Sequence, residues 1–74
     1  MNTQIETADL TLAAALQYHG VKLDGFEKIG ARAIFFMSPP EELIAKYDVG
    51  ELMVEPVAFT SIVRRLNTAI KRAI

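Results

Sequence analysis

"VKLDGFEKIGARAIFFM", residues 21–37, decides how this chain folds, because it carries two turn signals followed by a run of strand-forming apolar residues. Asp24-Gly25 is a turn or bulge signal, and Gly30 with Arg32 is a second candidate turn. We read a hairpin of residues 26–29 with 33–37, joined by "GAR", with Asp24-Gly25 as a bulge or entry turn. A hairpin turning at Asp24-Gly25 itself is the alternative. "AIFFM", residues 33–37, lacks polar alternation, so both faces of that strand are apolar. Such a strand lies at the centre of a sheet, or has its second face covered by a partner. Phe35 and Phe36 are therefore the candidate interface residues, and the sequence leaves open which of them turns inward.

Toward the C-terminus, "SPPEELIAKY" (residues 38–47) predicts a helix. Ser38 as N-cap with Glu41 three residues on reads as a capping box, and Pro39 then falls at the first helical position, where its missing N–H costs nothing. Leu43, Ile44 and Tyr47 form one apolar stripe, and "DVG" stops the helix. "ELMVE" (51–55) alternates, with Leu52 and Val54 on one side, and reads as a half-buried strand. Pro56 opens the last helix. Phe59, Ile62, Val63, Leu66, Ile70 and Ile74 recur at spacings of three and four, while Ser61, Arg64, Arg65, Thr68, Lys71 and Arg72 point away.

Toward the N-terminus, Thr7 reads as the N-cap of "ADLTLAAALQYH" (8–19), with Asp9 in the first turn, where the helix dipole favours an anion. Gly20 supplies the left-handed residue that ends this helix. Leu10, Leu12, Ala13, Ala14 and Leu16 cover more than one stripe, so the helix is expected to be buried on most sides. Residues 3–6 offer a short leading strand. The expected order is α-β-β-α-β-α: a single α+β domain over residues 1–74, with an antiparallel sheet of about three strands and three helices.

Composition narrows the function classes. The chain has 74 residues, 51% hydrophobic and 23% charged, which is globular but small, so the core is limited. It has no cysteine and one histidine, so neither a disulfide nor a Cys/His zinc site can reinforce it. Efficient packing or burial of a face against a second copy remains, and a homodimer is the expectation. No run of 18 apolar residues is present and the N-terminus carries no signal pattern, so a cytoplasmic protein with no membrane partner is expected.

Little catalytic chemistry is available. Without cysteine, nucleophilic catalysis would need a Ser–His19 pair or an activated lysine, and His19 sits where a cation simply complements a helix end. The carboxylate pairs are Glu41-Glu42, in a first helical turn, and Glu51/Glu55, flanking a strand; neither signals acid–base work. The four glycines show no nucleotide-binding spacing. We expect no catalytic, cofactor-binding or metal-ligating residue, and no enzyme.

The net charge of −1 conceals a split. Residues 1–55 hold all nine acids and four of the bases, for −5, whereas residues 56–74 hold four bases and no acid, for +4. Arg64, Arg65, Lys71 and Arg72 are thus the candidate contacts for nucleic acid or a protein partner. Lys71 and Arg72 also complement the helix C-terminus, and an overall negative chain does not attract a polyanion at long range, so nucleic acid is not the favoured partner.

"TADLTLAAAL", "HGVKLDGFEK" and "FFMSPPEELIAKYDVGELMVEPVAF" together resemble a family of small uncharacterised domains from bacteria and phages, number 5659 among the domains of unknown function. Thr7, Asp9, Leu10, Leu12, Ala13, Ala14, Leu16, Gly20, Phe36, Glu42, Leu43, Gly50, Val54, Pro56 and Phe59 occupy the matching places. The resemblance implies caps, turn glycines and core positions and supplies no catalytic residue. The expected function is a non-enzymatic macromolecular interaction module that self-associates. The alternatives are a small nucleic-acid-associated regulator using the last helix and, from the phage context, an inhibitor or sponge.

Overall fold

The computed structural model describes residues 3–72 and has the expected α+β architecture, an antiparallel three-stranded sheet with three helices. The elements are β1 (Ile5–Thr7), α1 (Leu10–Tyr18), β2 (Leu23–Ile29), β3 (Arg32–Met37), α2 (Glu41–Asp48) and α3 (Pro56–Arg72). The sheet order is β1-β3-β2, so the apolar strand is central. The third strand is the leading segment rather than residues 51–55. Those residues keep the alternation read from the sequence, with Leu52 and Val54 half-buried and Glu51, Met53 and Glu55 exposed, but join no ladder. β3 has only two edges, and β1 and β2 occupy both.

The hairpin turns where the preferred reading put it. Ile29 pairs with Arg32 across a two-residue loop, Gly30-Ala31, so Arg32 belongs to the strand. Gly30 has φ 63° while Ala31 has negative φ, the signature of a type II′ turn whose twist matches the flanking strands. Asp24 is the extra residue of a β-bulge: Leu23 pairs with Met37 and Gly25 with Phe36.

Two caps differ from expectation. Thr7 ends β1, and its hydroxyl accepts from the Asp9 N–H at 3.0 Å. Asp9 is the N-cap of α1, its Oδ1 accepting from the Thr11 and Leu12 amides at 3.0 and 3.2 Å. The capping box at Ser38 does not form: α2 begins at Glu41 with Pro40 as N-cap and no side-chain cap bond. Pro40 is the reason, since a residue that precedes proline is held away from helical dihedrals, and Pro39 therefore cannot start the helix. At the other end of α1, Gly20 at φ 89° allows a Schellman closure, with Gly20 N–H on the Gln17 carbonyl and Val21 N–H on that of Leu16. The same pair of bonds closes α2 from Gly50 and Glu51.

The fully buried core is Ala13, Ala14, Leu16, Phe35, Met37 and Leu66. Leu43 and Ile44 of α2 pack on it, as do Phe59, Ile62, Val63 and Ile70 of α3. All three helices thus lie on the Phe35 and Met37 side of the sheet. The alanines of α1 let that helix pack closely against α3, as small side chains permit. The short dimension of 18 Å fits one sheet and one helical layer. Ile74, expected on the apolar stripe of α3, lies outside the described residues.

Candidate functional site

The strand pairing sorts every β3 side chain onto a face. Ala33, Phe35 and Met37 point to the core, and Phe26 and Ile5 stand beside them on the neighbouring strands. Arg32, Ile34 and Phe36 point the other way. Glu6 of β1 is the register partner of Phe36, Glu27 of β2 that of Ile34, and Ile29 that of Arg32. Of the two candidate phenylalanines, Phe35 is 1% exposed and belongs to the core. Phe36 is half-buried on the outer face and, like Ile34, is not among the side chains packed on the core. Ile29 is 59% exposed beside them. The outer face is therefore an apolar strip with acidic neighbours and, among the described residues, no helix over it.

The second surface is the outside of α3. Arg64, Arg65, Lys71 and Arg72 are all exposed, as are Ser61 and Thr68 between them. At 3.6 residues per turn, Arg64 with Lys71 and Arg65 with Arg72 form two rows along one face. The hydroxyls of this face turn back to the helix: Thr60, Ser61 and Thr68 donate to the carbonyls of Pro56, Val57 and Arg64 at 2.8, 3.1 and 2.9 Å. At the other end, the Glu55 carboxylate accepts from the Val57 and Ala58 amides and caps the helix, which employs one member of the Glu51/Glu55 pair structurally. Glu41 and Glu42 are exposed in the first turn of α2.

A shallow cleft of about 350 Å³ gathers His19 with a serine, Ser38, and a lysine, Lys22, beside Asp24. Their bonds are ties between segments. Ser38 Oγ donates to Asp24 Oδ2 at 2.8 Å, and Gln4 Nε2 donates to the same oxygen at 3.3 Å. His19 Nε2 lies 2.7 Å from the Met53 carbonyl, which can only accept, so that nitrogen carries the proton. Ser38 is thus joined to a carboxylate and His19 to the backbone, and no Ser–His hydrogen bond is made. Among the described residues no group of three or more metal-ligating side chains occurs, and no helix is long and apolar enough to cross a membrane.

Glu6, Glu27 and Ile34 went unnoticed as surface residues in the sequence. The signal was there once the register was fixed, because the period of two along "RAIFFM" sends Arg32, Ile34 and Phe36 to one face. Comparison with models of known protein families, with curated proteins and with solved structures found no match.

Proposed function

We propose that this chain is a non-enzymatic interaction module that self-associates through the open face of its sheet. One observation carries the reading: Ile34 and Phe36 lie on the central strand, opposite all three helices, with exposed Ile29 beside them. A sheet is stable in water when each apolar face is covered, and among the described residues only one face is covered from within the chain. Kinship with the small phage and bacterial domains is part of this proposal; the positions that carry the resemblance include the cap Asp9, the helix-ending Gly20 and Gly50, and the core residues Ala13, Ala14 and Leu16.

The test compares Phe35→Glu with Phe36→Glu. The first is expected to unfold the chain, by burying an unpaired charge. The second is expected to leave the helical spectrum intact and to reduce the mass measured by light scattering at high concentration to that of one chain. A folded Phe36→Glu protein that keeps the wild-type mass, or a wild-type chain with single-chain mass at every concentration, would defeat the reading.

A second reading, a nucleic-acid contact through α3, is favoured by the convergence of Arg64, Arg65, Lys71 and Arg72 on one exposed face. Binding through about four phosphates would weaken with a log–log salt slope of roughly −3 to −4. A titration against duplex and single-stranded oligonucleotides at two salt concentrations decides it. Arg64→Ala with Arg65→Ala should lower both affinity and slope, and unchanged binding would remove the helix from the account.

A further inference from the structure

We propose that the self-association is head to tail: the cationic face of α3 in one copy lies across the open sheet face of the next. This rests on the self-association proposed above and names the two surfaces that meet. The ladder positions of the open face carry Glu6 and Glu27 against Arg32, with Asp24 and Lys22 together at the neighbouring bulge, so two such faces laid together would oppose like charge. α3 has no acid anywhere along its length, and its four bases share one exposed side. Each surface lacks what the other supplies.

The spacings agree as well. Glu6 and Glu27 flank β3 on opposite sides and are offset by two residues along it. With strands about 4.8 Å apart and a rise of about 3.4 Å per residue, their Cα atoms lie roughly 12 Å apart on a diagonal. Arg64 and Lys71 are seven residues apart on a helix, roughly 10.5 Å, as are Arg65 and Arg72. A helix laid diagonally over β3 therefore sets one cation on each carboxylate. The aliphatic stems between them cover Ile34 and Phe36, and a guanidinium meets the Phe36 ring. A helix on the open face of a sheet is also the ordinary way to complete a layered fold.

The two surfaces are different patches on different elements, so the contact is heterologous and each added copy exposes a fresh face. The strands present an area of roughly 15 by 20 Å, which puts the contact below the size of stable interfaces and makes it weak and salt-sensitive.

Sedimentation velocity on three proteins tests this: wild type, Phe36→Glu, and Arg64→Glu with Lys71→Glu. In low salt the wild-type mass is expected to climb past that of a dimer with concentration, and to fall back in about 0.3 M salt, where screening is short-ranged. Each variant alone is expected at single-chain mass. Their equimolar mixture, in which one keeps the helix surface and the other the sheet surface, is expected to give a two-chain species that grows no further. Glu6→Lys with Glu27→Lys, at exposed positions, replaces Phe36→Glu if the latter loses its helical spectrum; mixed with the helix variant it restores both contacts and the ladder with them. A helix variant that associates as the wild type does overturns the head-to-tail arrangement and leaves a symmetric sheet-face dimer. A wild-type chain that stays single in low salt removes the self-association reading altogether.

Discussion

Asp9 performs two tasks with one carboxylate. Oδ1 caps α1, and Oδ2 accepts from the Tyr47 hydroxyl at 3.1 Å, tying α2 to the start of α1. Asp9→Ala should cost about 1–2 kcal/mol in chemical denaturation, while Asp9→Asn, whose amide oxygen still caps, should cost less. A double-mutant cycle with Tyr47→Phe separates the cap from the tie. The tie also has a pH signature. Burial first, then the hydrogen bond to Asp9 and the charges of Asp9 and Asp48, hold the Tyr47 hydroxyl above its ordinary pKa of 10.0. The folded state therefore favours the protonated phenol. Its contribution is complete below pH 10 and is lost as pH rises from there through the raised value. Thermal melts above pH 10 should show Tyr47→Phe losing less stability than wild type over that window; parallel curves would contradict this. Two glycines give a matched contrast. A Cβ on Gly20 or Gly25 would meet nothing within 4 Å, but only Gly20 has positive φ. Gly20→Ala should therefore cost about 1–3 kcal/mol through backbone strain alone, and Gly25→Ala about 0.5 kcal/mol or less.

Elements were legible in the sequence where a local rule had no competitor. The type II′ hairpin, the bulge at Asp24, the glycine stop at Gly20 and Pro56 at the first position of α3 all follow from residues within a few positions. Ser38 was misread because two rules met there: its capping pattern with Glu41 was sound, but Pro39-Pro40 delays the helix and leaves Ser38 to bond Asp24 instead. Residues 51–55 were misread for a different reason. Alternation reports burial, and Leu52 and Val54 are indeed half-buried, but alternating burial does not require ladder pairing, and the third strand is β1 instead. A three-residue strand such as β1 leaves too little pattern to compete. Of the surfaces, the basic face of α3 was readable from helical period alone, whereas choosing between Phe35 and Phe36 needed the register. Truncation should expose the same distinction. Leu66 is the one fully buried residue of α3, so Leu66→Ala should cost about 2–5 kcal/mol. Ile34→Ala, on the open face, should cost clearly less in dilute solution; equal losses would mean that the face is covered from within.

At the scale of the molecule, the thin two-layer build links stability to concentration. With one helical layer, the core cluster among the described residues holds only six buried side chains, three of them alanine or methionine, so little apolar surface is hidden per residue. Any contact that forms only between folded chains then adds to stability by mass action. At a concentration near the dissociation constant the gain is about 0.4 kcal/mol, and at ten times that concentration about 1.4 kcal/mol. For a domain of this size 1 kcal/mol moves the melting temperature by roughly 4–8 °C, so the midpoint should climb by several degrees across that range in low salt. Phe36→Glu should remove the climb while leaving the dilute midpoint within a few degrees of wild type, because Phe36 is not packed on the core. A midpoint independent of concentration in the wild type, measured by scanning calorimetry, would place all of the stability inside one chain and leave the exposed sheet face without a self-made cover.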